Sequence, residues 1–342
     1  MDVDLKGLDA EETKAWAIGR GLKAYQGRQI RQWLFKKLSG SFEEMTDLSK
    51  PLRIALQDDV PINHLETVKA LTSKDGTRKF LFRLWDGPCI ESVLIPEQDH
   101  ATLCISSQAG CSMGCRFCLT AKQGLTRDLT ASEIIDQVIQ VKRSMDAPDR
   151  LTNIVFMGMG EPLANYDAVV KAIRNLISAD GMNLSHRKVT LSTCGLIPRI
   201  EKLGRDITVN LAISLNAADN ETRSYLMPVN RKYPLKDLIS TLRAFPLPNR
   251  RMITFEYILI NGINDRYQDA KNLKGLLSGL RAKINLIPLN PGNEGKLAAP
   301  SMKKILQFQE ILVQNHFTAI IRKSRGSDIL AACGQLLGDY QE

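Results

Sequence analysis

No run of eighteen or more apolar residues occurs in this sequence, which excludes a membrane-spanning helix of ordinary length. The opening residues lack a basic-then-apolar leader, so no secretory signal is expected. Cysteine is sparse and odd in number. Seven occur, three of them within eight positions, which suits a reducing cytosol better than a secreted disulfide scaffold. Internal repeats and low-complexity tracts are absent, and with 44% hydrophobic and 24% charged residues disorder is not expected. What remains is a 342-residue chain, long enough for one large domain or two modest ones. Its formal charge of +9 permits a nucleic-acid partner without establishing one.

Three regions follow one another. Residues 1–62 carry helical spacing at 11–22 and 27–37, with Ile30, Trp33, Leu34 and Leu38 on one face. Lys14, Arg20, Lys23, Arg28, Arg31, Lys36 and Lys37 make this unit basic, which suits a solvated face and a nucleic-acid contact equally well. Residues 63–96 hold alternating runs at 64–73, 78–85 and 90–95, separated by turn residues, and predict a short antiparallel meander linking the flanking regions. From residue 97 to 326, strand-like runs at 101–107, 152–157, 188–193, 207–215, 252–260, 283–289 and 317–322 are mostly separated by helical stretches. Thr130 and Glu133 form a capping box at the start of the first. This alternation predicts an α/β fold with a parallel sheet. Six strand–helix units are too few for a closed eight-stranded barrel, so a partial barrel open on one side is expected. Residues 327–342 form a last segment carrying Cys333.

The strongest chemical signal is the C-x3-C-x2-C run of Cys111, Cys115 and Cys118, in the loop after the first strand of the α/β region. Three thiolates on a short loop can hold three irons of a cubane cluster. The fourth iron stays open and can chelate the amino and carboxylate groups of S-adenosylmethionine (SAM). A zinc knuckle with Cys104 as fourth ligand is the plainer alternative, although such sites usually pair two C-x2-4-C arms.

The surrounding motifs resemble the RlmN/Cfr family of radical-SAM RNA adenine methyltransferases. They are ATLCISSQAGC at 101–111, FCLTAKQG at 117–124, GMGEP at 158–162, KVTLSTCG at 188–195, INLIPLNP at 284–291 and DILAACGQL at 328–336. The similarity reaches back to the RQWLF at 31–35 of the helical start. The resemblance implies a partial (βα)6 radical-SAM barrel with a small helical N-terminal domain that contacts RNA. It also implies a 4Fe-4S cluster on Cys111, Cys115 and Cys118, and two SAM molecules per turnover. Gly160, Glu161, Ser192, Ser214, Leu215, Asn216 and Asn290 carry over as SAM contacts, Asn216 through its backbone because relatives often have His there. The glycines of GMGEP would let backbone approach the ligand. Cys89 and Cys194 read as packed cysteines.

Adenine C2 is electrophilic and cannot attack a methyl donor as a nucleophile would. By resemblance, Cys333 first takes a methyl from one SAM, and a second SAM supplies the radical that removes hydrogen from that methyl. The resulting S–CH2 radical joins protein to the ring; a proton leaves, with Glu91 as acceptor, and Cys104 resolves the link, leaving a Cys104–Cys333 disulfide. Spacing alone leaves a plainer reading for each: Ile329, Cys333 and Leu336 fall at helical spacing, and Glu91 suits a solvated strand. The implied target is adenosine 2503 of 23S ribosomal RNA, with adenosine 37 of transfer RNAs as a second. A cytoplasmic monomer is expected, with a low-potential electron donor such as flavodoxin or ferredoxin and no membrane partner. Two rivals stay open: C8 methylation with the same cysteines, and a non-catalytic RNA-binding zinc or iron–sulfur module.

Overall fold

The structure, a computed structural model, describes residues 4–290 and 297–338. Residues 1–3 and 339–342 of the expected terminal segments, and Pro291 of the motif at 284–291, lie outside the described residues.

Three helices open the chain: α1 (Ala10–Gly19), α2 (Ala24–Phe35) and α3 (Lys50–Asp59). A reciprocal cap starts α1, where Asp9 accepts from the Glu12 amide and Glu12 from the Asp9 amide, both at 2.9 Å. The spacings at 11–22 and 27–37 do not extend to α3, in which Leu56 is the one buried residue. The unit is pinned to the rest of the molecule by buried charge. Arg31 donates to the Leu8 carbonyl at 2.8 Å and to Asn175 at 2.9 Å, while Lys6 pairs with Asp136 at 2.6 Å. Removing one partner of such a buried pair typically costs about 3–5 kcal/mol. Arg31 is thereby absorbed by packing and leaves the set of residues available to nucleic acid, and Arg20 is occupied by Asp59.

Next come β1 (Glu66–Thr72), β2 (Arg78–Arg83), β3 (Cys89–Pro96) and β4 (Ala101–Cys104). A hairpin of β5 (Gln108–Gly110) and β6 (Leu125–Asp128) encloses the cysteine loop and the short helix α4 (Leu119–Gln123). Helices and strands then alternate. They are α5 (Ala131–Arg143), β7 (Leu151–Phe156), α6 (Tyr166–Ile177), β8 (Val189–Thr193), α7 (Ile197–Asp206) and β9 (Asn210–Ser214). After them come α8 (Asn220–Leu226), α9 (Leu235–Ala244), β10 (Ile253–Leu259), α10 (Tyr267–Leu277), β11 (Ala282–Pro288), α11 (Met302–Gln314) and β12 (Thr318–Ile321). The Thr130–Glu133 capping box is present at α5.

One ten-stranded sheet runs in the order β1-β2-β3-β4-β7-β8-β9-β10-β11-β12. Strands β4 and β7 to β12 are parallel throughout, and successive members are joined by helical crossovers. The meander differs from the expected linker: β3 pairs antiparallel with β4, Val93 opposite Cys104, so its three strands extend the barrel sheet at one edge. Antiparallel addition needs only a tight turn, which Gln98 and Asp99 provide between β3 and β4.

The parallel strands alternate in a way that explains the interior. Ile154 and Phe156 (β7), Val189 and Leu191 (β8), Phe255 and Tyr257 (β10), and Ile284 and Leu286 (β11) are fully buried. Their neighbours Asn153, Thr190, Thr254, Glu256, Lys283 and Asn285 face the opposite way and line a central cavity. A sheet covered on both faces would read as continuous apolar runs. Here the period of two marks an apolar outer face under helices and a lumen of mixed character that takes the strands' polar side chains. Each fully buried outer side chain contributes roughly 1.5–3 kcal/mol.

Candidate active site

The cavity holds about 480 Å³, within the ordinary range for a small-molecule site. All three loop cysteines, together with Cys104 and Cys333, line it. The loop is tied at its entry by Cys111, whose amide donates to the Gly124 carbonyl at 2.7 Å. Gly110 must be glycine, because at φ +78° a Cβ would lie 1.9 Å from that same carbonyl oxygen. The loop's exit is tied to the C-terminal segment by the Leu119 amide, which donates to Gly334 at 2.8 Å.

Cys118 lies close enough to Cys111 and Cys115 to oppose the ionisation of both, and Cys111 opposes that of Cys115. Burial pushes the Cys111 thiol up to about 11, with Cys118 and Glu161 adding to it. Cys115 moves the same way, again chiefly through burial, then through Cys118 and Cys111. Protonated thiols in such a place become ligands by losing their protons to solvent as a metal centre binds the thiolates. A cubane cluster takes one thiolate per iron, and Cys111, Cys115 and Cys118 bring three thiols to one cavity. The donor set fits a 4Fe-4S cluster with SAM in the adjoining space.

The GMGEP segment follows β7. Its glycines serve backbone packing: a Cβ on Gly158 would meet the Ile105 carbonyl at 2.7 Å, and one on Gly160, at φ +99°, would meet Gln108 at 2.6 Å. Their closeness is to the strand carrying the cysteine loop as well as to the cavity, a use the sequence reading did not assign. Glu161 is buried and accepts the Leu163 amide at 3.0 Å and the Cys194 amide at 2.8 Å. Burial raises its carboxyl against those two hydrogen bonds. A cationic ligand would relieve that cost.

Ser192 and Ser214 line the cavity from β8 and β9. Leu215 is fully buried and contributes backbone alone, its amide donating to Glu256 O at 3.0 Å. Asn216 sits at φ +59°, a conformation asparagine tolerates, and its carbonyl side accepts the Ile258 amide at 2.9 Å. Asn290 donates to the Cys333 carbonyl at 3.0 Å and accepts from Ser324. In this arrangement its amide serves the C-terminal segment.

Cys104 ends β4 and is buried; Cys333 is solvent-accessible within the concave cavity. The two thiols are close enough to interact: burial first, then Cys333, pushes Cys104 well above the ordinary thiol range. Burial and then Glu256 push Cys333 up to about 11, with Arg322 opposing. The helical spacing around Cys333 does not become a helix, since Leu330 and Gly334 both have left-handed backbone, φ +52° and +80°. Glu91 is not among the cavity-lining residues. It is buried, pairs with Lys79 at 2.8 Å and accepts the Leu337 amide at 2.9 Å.

Two residues of the site escape the motif reading. Arg223, fully buried, donates to the carbonyls of Cys194 (2.7 Å), Leu215 (3.1 Å) and Ser214 (3.3 Å), tying the ends of β8 and β9 together beside Cys115. Glu256 faces the lumen in mid-strand. Its signal was available: a single carboxylate between Phe255 and Tyr257 in a parallel strand cannot face the helices.

Comparison with known proteins agrees with this geometry. The Radical SAM superfamily profile matches residues 105–273. The profile of the ribosomal RNA large subunit methyltransferase N-terminal domain matches residues 3–62. The dual-specificity RNA methyltransferase RlmN of Geobacter sulfurreducens is 52% identical over 98% of this chain and 92% of its own length. The protein of that name from Syntrophobacter fumaroxidans is 49% identical over 99% of both. The crystal structure of a radical SAM methyltransferase from Sphaerobacter thermophilus superposes with a TM-score of 0.94 at 43% identity, covering 98% of this chain and all of that one. With a cysteine loop and two remote thiols in one cavity, and with relatives half identical along its whole length, the chain belongs to the RlmN family.

Proposed function

We propose that the chain is a radical-SAM methyltransferase that places a methyl group on C2 of an adenosine in RNA, adenosine 2503 of 23S ribosomal RNA and adenosine 37 of transfer RNAs. The observation that carries this reading is the meeting of Cys104 and Cys333, from distant parts of the chain, in the cavity lined by the three loop cysteines. A binding module has no use for two further thiols there.

The cluster and SAM, when bound, supply an electrophilic methyl group and one-electron hydrogen abstraction. Cys111, Cys115 and Cys118 would hold the cluster, and Glu161 the SAM ammonium, with Ser192, Ser214 and backbone at Leu215 and Asn216 around it. Cys333 carries the methyl. Its thiol must lose a proton to do so, and Arg322, whose charge opposes the upward push of burial, favours that loss. Cys104 attacks the Cys333 sulfur to release the base, and the disulfide so formed must be reduced before the next cycle. Glu91 takes the ring proton in this reading only after Leu337 leaves its carboxylate, which links proton removal to movement of the C-terminal segment. The helical unit at 1–62 contacts RNA beyond the target base. The chain works as a cytoplasmic monomer with a flavodoxin- or ferredoxin-type donor.

Anaerobic incubation of the cluster-loaded protein with SAM, reductant and an RNA fragment, followed by mass analysis of nucleosides, should yield 2-methyladenosine. Methylation at C8 would assign the chain to the other branch, and absence of methylation would overturn the reading.

A further inference from the structure

Among the described residues two carboxylates line the cavity, Glu161 and Glu256. The backbone amides of Leu163 and Cys194 occupy both oxygens of Glu161. Glu256 is different. One oxygen accepts the Asn285 side-chain N–H at 2.8 Å, and the other accepts no hydrogen bond from the described residues. No cation lies within 4 Å of it among those residues, although Arg322 and Lys283 act on it from farther away. Burial raises its carboxyl, with Asn285 and these two cations opposing. Glu256 is half-buried at the cavity wall, so its second oxygen is left to water or to a donor on a bound ligand.

Register fixes where that donor must sit. In the parallel sheet Glu256 lies opposite Ser214 on β9 and Asn285 on β11, so the three share one level of the lumen. Ile258 and Ile287 line the cavity two residues further along β10 and β11. Cys333 is near enough for Glu256 to raise its thiol. A flat ring with its amine at Glu256 would thus lie in the same space as the methyl-carrying sulfur.

We propose that Glu256 and Asn285 read the amine edge of the purine to be methylated. The free oxygen of Glu256 accepts an N–H of the 6-amino group. The Asn285 amide, oriented by Glu256, offers its second N–H to the adjacent ring nitrogen, as asparagine does at adenine edges elsewhere. Guanine presents a carbonyl oxygen where adenine has the amine, and acceptor would face acceptor. Exclusion of the wrong purine is built in. This deepens the reading of the substrate as an adenosine in RNA and rests on it.

The test compares two RNA fragments, one with adenosine at the target and one with purine riboside, which lacks the 6-amino group. Single-turnover rates and equilibrium binding are measured for the cluster-loaded parent, Glu256→Ala, Glu256→Gln and Asn285→Ala. The parent should prefer adenosine by about tenfold to a hundredfold, the worth of one hydrogen bond to a charged acceptor. Glu256→Ala should lose that preference and treat both RNAs alike, while Glu256→Gln, which keeps an acceptor, should retain part of it. Binding reads the amine contact without chemistry, so a variant impaired in turnover still gives an answer. Glu256→Ala with the full parental preference, in rate and in binding, overturns the proposal. A parent that methylates neither RNA yet binds adenosine preferentially, through Glu256, would instead fault the reading of the reaction.

Discussion

Cys104 and Cys333 carry the same thiol in different settings, and the difference makes their substitutions separable. In the proposed reaction Cys333→Ala removes the sulfur that would bear the methyl, so no bond to RNA should form. By the same reading Cys104→Ala should leave methyl transfer and addition to the ring intact and lack only the resolving thiolate. We expect protein covalently joined to RNA in that variant, stable to boiling in detergent and lost on nuclease digestion, and absent from the double variant. Packing cysteines would behave otherwise, each costing about 1 kcal/mol of stability with methylation preserved. Glu91→Gln adds a second probe. The amide still accepts the Leu337 N–H but cannot take a proton, so the same adduct should accumulate if Glu91 is the proton acceptor. Normal turnover in Glu91→Gln would leave Glu91 as an anchor alone. At this scale the sequence is most telling where chemistry demands a spacing, as in the three loop cysteines. It says least where a side chain's partner comes from another strand. Nothing near Glu91 in the sequence announces Lys79 or Leu337, and nothing near Asn290 announces Cys333.

In the proposed reaction turnover depends on the C-terminal segment that carries Cys333, and acidic contacts hold that segment in place. Asp328 accepts the Ser73 hydroxyl at 2.6 Å and the Lys74 amide at 3.2 Å, and Asp75 accepts the Gly326 amide at 3.1 Å. The Ser73 and Lys74 donors hold the Asp328 carboxyl below its usual value. For Asp75, burial acts upward, but hydrogen bonds from Thr77, Gly326 and Ser73 outweigh it and bring the group to about 2. A carboxyl depressed by folding stabilises fully above the ordinary carboxylate range, near pH 4, and loses that contribution as pH falls toward its folded value. We therefore expect the segment to loosen between about pH 4 and pH 2, read as faster amide exchange at 326–338 than in the strands. The double variant Asp75→Ala, Asp328→Ala should show the same exchange at neutral pH with the barrel intact. Exchange that stays uniform across the chain in both experiments would refute this anchoring. Elements with strong periodicity, β7 to β12 and the helices between most of them, were legible in the sequence because one face packs on the other layer. The short ones were not. The β5–β6 hairpin has three and four residues, too few for alternation to register.

For the whole molecule, the question is how a folded RNA delivers one base to the bottom of a cavity. Five exposed cations line that cavity without an ion-pair partner among the described residues: Arg187, Lys188, Lys283, Arg322 and Lys323. The helical unit carries its own exposed set, including Arg28 and Lys36, but part of its charge is spent internally at Arg31 and Arg20. These two surfaces should act differently. Cations around the cavity should meet the phosphates flanking an unpaired or splayed base, since a stacked base cannot enter a concave cavity. Each phosphate neutralised on a single strand contributes about 0.7 to the slope of log affinity against log salt. The triple variant Lys188→Ala, Lys283→Ala, Lys323→Ala should therefore lower that slope by about 2, for a short unstructured oligonucleotide and for a structured fragment alike. Arg28→Ala with Lys36→Ala should weaken the structured fragment alone, because that unit lies outside the cavity and can be reached only by RNA extending beyond the target loop. Equal slopes in parent and triple variant would show that the backbone does not pass the cavity rim. An oligonucleotide methylated by the parent as fast as the structured fragment would show that the helical unit does not recognise the RNA fold.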